Sequence, residues 1–148
     1  MKKILQILFF ILFIANISNS ETENKKITEK TKKEKRAQFI LVNMQQDYIT
    51  CYSFYKIGTK YVIKSNGDSS IIQGIEKSAD ISLKLAYETG EIMGMTAKNM
   101  SKKVESEMTN QLKLIDNDLN NASILLEKYA KQCKNIIQDK KQRIGFWE

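Results

Sequence analysis

Apolar side chains recur at intervals of three and four residues in four separate stretches of a chain that contains no proline. This spacing places them on one face of a helix. Four such helices with short connections pack most simply as an antiparallel bundle, so the sequence predicts an all-α fold, a small antiparallel helical bundle of about four helices. The predicted inward faces are Leu41, Met44, Tyr48, Cys51, Tyr52 and Tyr55; Ile71, Ile75, Ala79, Ser82, Leu85, Ala86 and Thr89; Ala97, Met100, Val104, Met108, Gln111, Leu112 and Ile115; and Leu125, Leu126, Tyr129, Cys133, Ile136 and Ile137.

Glycines and capping residues indicate where these helices begin and end. The first helix is expected to run from about Arg36 to a stop at Gly58. A break is expected between Gly90 and Met95, because glycine weakens a helix interior. Thr96 is the candidate cap of the third helix, since a threonine hydroxyl accepts hydrogen bonds from the first backbone amides.

The stretch 60–72 contains two competing signals. Asn66-Gly67 is a strong hairpin signal where strands flank it, and the residues before it are β-prone. Ser70 and Gln73, in contrast, have the spacing of a capping box that starts a helix. We favour an ordered loop followed by a helix, with a short β-hairpin as the alternative.

The first twenty residues have the organisation of a secretory signal peptide. Lys2 and Lys3 precede an apolar run at 4–14, and Ser18 and Ser20 are small residues suited to a cleavage site after Ser20. The apolar run is roughly half of the ~20 residues that cross a bilayer as a helix, so an uncleaved anchor is the weaker alternative. We therefore expect a signal peptide at 1–20 and export to the periplasm or the extracellular space.

The net charge of +7 lies mostly outside the predicted domain. Residues 21–36 hold seven basic and four acidic side chains and few apolar ones, which predicts a charged flexible tail. Residues 37–148, predicted to be a single helical domain, hold fifteen basic and thirteen acidic side chains. We therefore expect no nucleic-acid partner. Weak contact of the 21–36 tail with an anionic membrane surface is an alternative mode of association.

Two cysteines in an exported chain predict a disulfide bond. Cys51 and Cys133 lie on the apolar faces of the first and last predicted helices, which can be neighbours in an antiparallel bundle. The chain has no Cys-x-x-Cys sequence, so a redox enzyme is not expected. The bond would close a loop of more than eighty residues and stabilise the fold by about 4.5 kcal/mol in the chain-entropy treatment.

The chain contains no histidine. Its absence excludes Ser-His-Asp and Cys-His nucleophile systems and removes the commonest general base. No other catalytic arrangement is evident, and we expect no enzymatic activity. An enzyme that uses carboxylates alone, for instance Glu88 and Glu91 on adjacent helical turns, is the alternative.

One acidic segment between the third and fourth helices resembles the calcium loop of the EF-hand family. Asp116, Asp118, Asn120 and Glu127 match ligand positions one, three, five and twelve of that loop. The resemblance covers only residues 116–127, and Asn121 occupies the sixth position, where the family has glycine. It implies a calcium-binding protein as an alternative function.

Aromatic residues supply the remaining candidate surface. Tyr48, Tyr52 and Tyr55 lie along the first helix, and Phe146 and Trp147 lie near the end of the sequence. These side chains could line a pocket or a partner surface, because aromatic groups provide large apolar contact areas. Together with the predicted export, they favour a small binding or interaction protein whose partner is a protein or a small molecule.

Overall fold

A computed structural model describes the backbone of residues 2–138 and the side chains of residues 29–137. The described backbone forms four α-helices and one short 3-10 helix and contains no strand. The elements are α1 (Lys2–Lys64), α2 (Ser69–Ile92), α3 (Ala97–Leu114), the 3-10 helix η1 (Leu119–Asn121) and α4 (Ser123–Gln138). The predicted all-α bundle is confirmed, and the alternative hairpin at 60–72 is wrong.

The chain divides into two units between Gln38 and Phe39. In the first unit the backbone is helical through the predicted tail at 21–36, where lysine and glutamate favour helix. The side chains from Glu29 to Gln38 are all exposed, as expected of a segment without an apolar face. The predicted signal peptide at 1–20 lies outside the described side chains. Among the described residues, no helix combines the length and the apolar character that crossing a membrane requires.

In the second unit α1 continues past Gly58 for six more residues. The expected stop at Gly58 is wrong, because glycine only weakens a helix and packing against neighbouring helices outweighs that weakness. The helix ends instead at Lys64, and Asn66, two residues later, has a left-handed φ of 54°. The amide of Gly67 then donates to the carbonyl of Val62 at 2.8 Å. Asn66-Gly67 therefore terminates a helix, which needs the same left-handed backbone that a hairpin turn needs.

The connections after α1 are set by short polar side chains. Asp68 caps α2 by accepting a 2.6 Å hydrogen bond from the amide of Ser70, two residues before the predicted start. The expected break between Gly90 and Met95 is confirmed, with Gly94 at a φ of 72°. Thr96 caps α3 as predicted, accepting from the amide of Asn99 at 3.3 Å.

The core of the second unit contains residues from all four helices. The predicted disulfide is present: Cys51 of α1 and Cys133 of α4 are bonded, with their Cα atoms 5.3 Å apart. Three predicted inward residues are exposed: Ile71 and Ala97, which lie in the first turn of their helices, and Leu126 of α4. The buried apolar residues are Tyr48, Ile49, Cys51, Phe54, Ile57, Ala79, Ala86, Met100, Ile115, Ala122, Leu125, Cys133 and Ile136.

Buried polar side chains join α1 to α3 inside this core. Gln111 donates 2.9 Å hydrogen bonds to the carbonyl of Thr50 and to the carboxylate of Glu107. Gln45 accepts a 2.9 Å hydrogen bond from Lys103 and donates to the sulfur of Met100 at 2.8 Å. These contacts specify how the two helices are aligned, because a shift would leave buried polar groups without partners.

Candidate ligand-binding groove

A cavity of about 310 Å³ opens to solvent between α1, α2 and α4. We call it the apolar groove. Its surface is almost entirely carbon, and its size lies at the small end of the range for ligand sites in proteins. The lining residues are Phe54, Tyr55, Ile57, Gly58, Tyr61, Val62, Ile75, Ala122, Leu125, Leu126, Ala130 and Lys134.

The wall from α1 depends on the absence of a side chain at Gly58. Phe54, Tyr61 and Val62 lie within one turn of Gly58 on either side, so they share its face of the helix. A Cβ built at Gly58 would lie 4.0 Å from the Cγ2 atom of Ile75 in α2, which is ordinary contact. A longer side chain at this position would therefore begin at the groove wall and occupy the groove.

Helix α4 lines the groove with both small and large side chains. Ala122 and Ala130 leave room, whereas Leu125 is buried beneath the groove. Leu126 lines the groove and is still 50% exposed, although the spacing had placed it on the inward face. A half-exposed leucine beside a cavity presents apolar surface that a bound molecule would remove from water.

Polar groups are few at this surface. Half burial raises the pKa of the Tyr55 hydroxyl above its usual range, since the phenolate is poorly solvated there. The ring centroids of Tyr55 and Phe54 are 5.1 Å apart. Lys134 is the one charged residue of the lining, and it is exposed. The groove thus combines an almost entirely apolar lining with one basic residue, Lys134.

The predicted aromatic surface is only partly present in the groove. Tyr55 lines it, whereas Tyr48 is a core residue with 2% exposure and Tyr52 is half-buried away from it. Phe146 and Trp147 lie outside the described residues. The sequence reasoning missed Gly58 and Ala130, because a small residue signals a cavity only when its opposite wall is known.

In the segment that resembles a calcium loop, two of the predicted ligand residues contact a lysine side chain. The ammonium of Lys64 lies 3.2 Å from Oδ1 of Asn120 and 3.9 Å from Oδ1 of Asp118. The same Asp118 oxygen accepts a hydrogen bond from the Asn120 amide at 2.9 Å, capping η1. Asp116 is exposed in a left-handed turn with a φ of 53°, and Glu127 is exposed on α4.

Within the described side chains, no three acidic, cysteine or histidine residues are grouped so that they could hold a metal ion. The EF-hand resemblance therefore gains no support from this geometry, and calcium binding stays a prediction.

The two carboxylates of the alternative enzyme hypothesis are on the surface of α2. Glu88 is exposed and forms an exposed pair with Lys84 at 3.8 Å, and Glu91 is exposed as well. Neither residue lines the apolar groove. Both carboxylates are therefore open to solvent on the surface of α2.

Comparison with known proteins adds no family to these observations. No protein-family model, no curated protein and no solved structure matches this chain.

Proposed function

We propose that this chain is an exported binding protein whose apolar groove holds a small amphipathic anion, an apolar body that carries one acidic group. The observation that carries the proposal is the groove itself, which opens to solvent, is lined almost entirely by carbon and has Lys134 as its one charged lining residue. Burial of an apolar group in such a groove supplies the affinity, and the cation favours a ligand with a negative charge.

Export is supported by two independent features. The chain begins with a segment organised like a signal peptide, and it contains a disulfide bond whose two cysteines are both fully buried. Stable disulfides belong to oxidising compartments such as the periplasm and the extracellular space. Fractionation of the source cells tests this part. We expect a protein outside the cytosol that begins at Glu21, and an intact amino terminus on cytosolic protein would contradict export.

The binding proposal is tested with 1-anilinonaphthalene-8-sulfonate, an apolar fluorophore with one sulfonate, and with decanoate as a competitor. We expect saturable binding of the fluorophore to the folded protein and displacement by decanoate. Gly58→Leu should fill the groove and take away ligand contact equal to about one buried aliphatic side chain. The affinity of this variant for the fluorophore should therefore fall by about tenfold or more. Gly74→Leu is the matched control, because an added Cβ there has no neighbour within 4 Å.

The role of charge is tested at Lys134. Lys134→Gln should weaken fluorophore binding by up to about fivefold, since an exposed ion pair contributes at most about 1 kcal/mol. Added salt should reduce this difference by screening. Lys131→Gln, also on the exposed surface of α4, is the control and should bind the fluorophore as the unmodified protein does.

The glycine variants decide whether the groove is the binding site. Equal fluorophore binding by the Gly58→Leu and Gly74→Leu variants would exclude the groove.

A further inference from the structure

We infer that the ligand of the apolar groove is a straight-chain carboxylate of medium length, with its acidic group at Lys134 and its chain running toward Val62 and Ala122. The inference rests on the proposed function and adds the shape, length and direction of the ligand. Two observations carry it. Contacts between α1 and α4 fix which parts of the two helices lie together, and the one charged lining residue lies at one end of the lining.

Helices α1 and α4 run in opposite directions beside the groove. Cys51 of α1 is bonded to Cys133 of α4. Lys64 follows Cys51 by thirteen residues, and its ammonium lies 3.2 Å from Oδ1 of Asn120. Asn120 precedes Cys133 by the same number of residues. A step forward along α1 therefore corresponds to a step backward along α4.

This register orders the lining residues along the groove. Phe54 of α1 and Lys134 of α4 lie within three residues of the bonded cysteines, and we call this the disulfide end. Val62 and Ala122 each lie eleven residues from the cysteine of their own segment, and we call this the far end. The groove therefore has its basic residue at the disulfide end and apolar residues at the far end.

A row of lining residues on α4 connects the two ends. Lys134, Ala130, Leu126 and Ala122 are spaced by four residues, so they lie along one ridge of the helix. Ala122 precedes α4 but has helical dihedral angles, and its carbonyl accepts from the amide of Leu126 at 3.1 Å. Helical side chains lean toward the N-terminus of their helix, which from Lys134 is the direction of Ala130. An acid bound by this lysine thus lies at the start of an apolar row.

The length of this row sets the length of the ligand. From Lys134 to Ala122 the row covers about 18 Å, at about 1.5 Å per helical residue. An extended hydrocarbon chain advances about 1.3 Å per carbon, because its bonds of about 1.5 Å meet at tetrahedral angles. About fourteen carbons cover the whole row, and about ten are sufficient where the lysine side chain itself covers the first part. A straight chain of this length contacts the full row, whereas a compact ring system contacts only part of it.

Charges beyond the far end disfavour the reverse orientation. Lys64 contacts Asn120 and lies 3.9 Å from Oδ1 of Asp118. A ligand acid at this end would have to compete with the carboxylate of Asp118 for the same ammonium, and like charges repel each other. Lys134, in contrast, is itself part of the lining. The acidic group is therefore favoured at the disulfide end.

Competition between straight-chain carboxylates and 1-anilinonaphthalene-8-sulfonate, below the concentrations at which micelles form, tests the length. From hexanoate to decanoate the affinity should rise by about two- to fourfold per added methylene group, since each one buries further apolar surface. The rise should stop between about ten and fourteen carbons, where the chain leaves the lining. Displacement that does not depend on chain length, or that strengthens steadily through hexadecanoate, would overturn the inference alone. Absence of saturable binding by the fluorophore and by every acid would overturn the proposed function.

Variants at the two ends test the direction. Val62→Phe narrows the far end, and Ile63→Phe is the matched control because Ile63 is 54% exposed and does not line the groove. Val62→Phe should lower the affinity for dodecanoate about tenfold more than that for hexanoate, which is too short to reach this end. Ile63→Phe should lower neither. Lys134→Gln should lower both affinities by the same factor, up to about fivefold. Equal loss of both acids in Val62→Phe would overturn the orientation.

A measurement on the unmodified protein covers the case in which Val62→Phe does not fold. Dodecanoate that carries a nitroxide at its last carbon should broaden the amide NMR signals of Val62 and Ala122 more strongly than that of Lys134. A nitroxide beside the carboxylate should broaden the signal of Lys134 more strongly. The opposite pattern for the two labelled acids, or equal broadening at both ends, would overturn the inference and leave the proposed function in place.

Discussion

Gly90 of α2 lies directly against the side chain of Met100 in α3. A Cβ atom at position 90 would lie 2.6 Å from the sulfur of Met100 and 2.8 Å from the side-chain nitrogen of Gln45. Met100 is 1% exposed and Gln45 is fully buried. Gln45 is also held by Lys103, so neither side chain can move away without breaking a contact. A side chain at position 90 would therefore have to displace two buried side chains of the core.

We predict that Gly90→Ala destabilises the protein relative to Gly74→Ala. Both changes gain the same helix propensity, about 1 kcal/mol, but only position 90 meets packed atoms. Overpacking a core costs about 1–3 kcal/mol, and this should be the difference between the two variants in free energy of unfolding. Urea denaturation followed by circular dichroism measures it. Equal stability of the two variants would show that Met100 and Gln45 rearrange freely.

The disulfide should contribute a large share of the stability of the second unit. Cys51 and Cys133 are separated by 82 residues in sequence, so their bond removes many conformations from the unfolded chain. We predict that Cys51→Ala with Cys133→Ala lowers the free energy of unfolding by about 2–5 kcal/mol. The measurement is urea denaturation of the double variant beside the oxidised protein. A decrease in the free energy of unfolding of less than about 1 kcal/mol would mean that packing, and not the disulfide, stabilises the bundle.

Helical periodicity and the predicted export were sufficient to predict the bundle and its disulfide. Cys51 has the helical spacing of the apolar residues of α1, and Cys133 has that of the apolar residues of α4. This spacing places each cysteine on the face of its helix that packs in the core. The helix boundaries were less predictable. Gly58 resembled a stop because local propensity disfavours it, but α1 passes through it while packing on Ile75. Local sequence signals mispredict a helix end where tertiary packing stabilises the helix by more than the low propensity of one residue destabilises it.

The groove could not have been predicted from one helix at a time. Tyr48 and Tyr55 share the predicted face of α1, yet the first is core and the second lines the groove. The difference depends on which residues of α2 and α4 lie opposite. Gly58 of α1 and Ala130 of α4 both line the groove, and no spacing rule within a single helix encodes that two helices contribute small residues to one cavity.

The cap of α2 should make stability depend on pH. The pKa of Asp68 is lowered chiefly by its hydrogen bonds from Ser70, because these bonds favour the charged carboxylate. A carboxyl group with a lowered folded-state pKa contributes stability above its unfolded-state pKa, about 3.9, and loses it as the pH falls through the lower folded value. Asp68→Ala should therefore unfold at a lower temperature than the unmodified protein at neutral pH.

The difference in unfolding temperature between Asp68→Ala and the unmodified protein should shrink steadily below about pH 4. Thermal melts of both proteins between neutral and acid pH measure it. The control is the difference between Asp68→Asn and Asp68→Ala, which should not vary with pH because neither side chain ionises in this range. A difference between Asp68→Ala and the unmodified protein that stays constant with pH would mean that the cap acts without its charge.

Two buried serines provide a matched test of hydrogen bonding in the core. Ser53 and Ser82 are both fully buried in helices, but only the hydroxyl of Ser82 has a described partner, the carbonyl of Ser78 at 2.9 Å. A buried hydroxyl without a hydrogen bond costs about 1–3 kcal/mol. Removing it should relieve that cost, whereas removing the Ser82 hydroxyl breaks a bond that contributes about 1 kcal/mol.

We therefore predict that Ser53→Ala raises the free energy of unfolding. The free energy of unfolding of Ser53→Ala should exceed that of Ser82→Ala by at least about 1 kcal/mol. Both variants gain the same helix propensity, so the difference isolates the hydroxyl. Urea denaturation of the two variants beside the unmodified protein measures it. If Ser53→Ala is the less stable of the two, then the Ser53 hydroxyl is hydrogen-bonded in solution, and the interior of α1 at this position is more polar than its neighbours indicate.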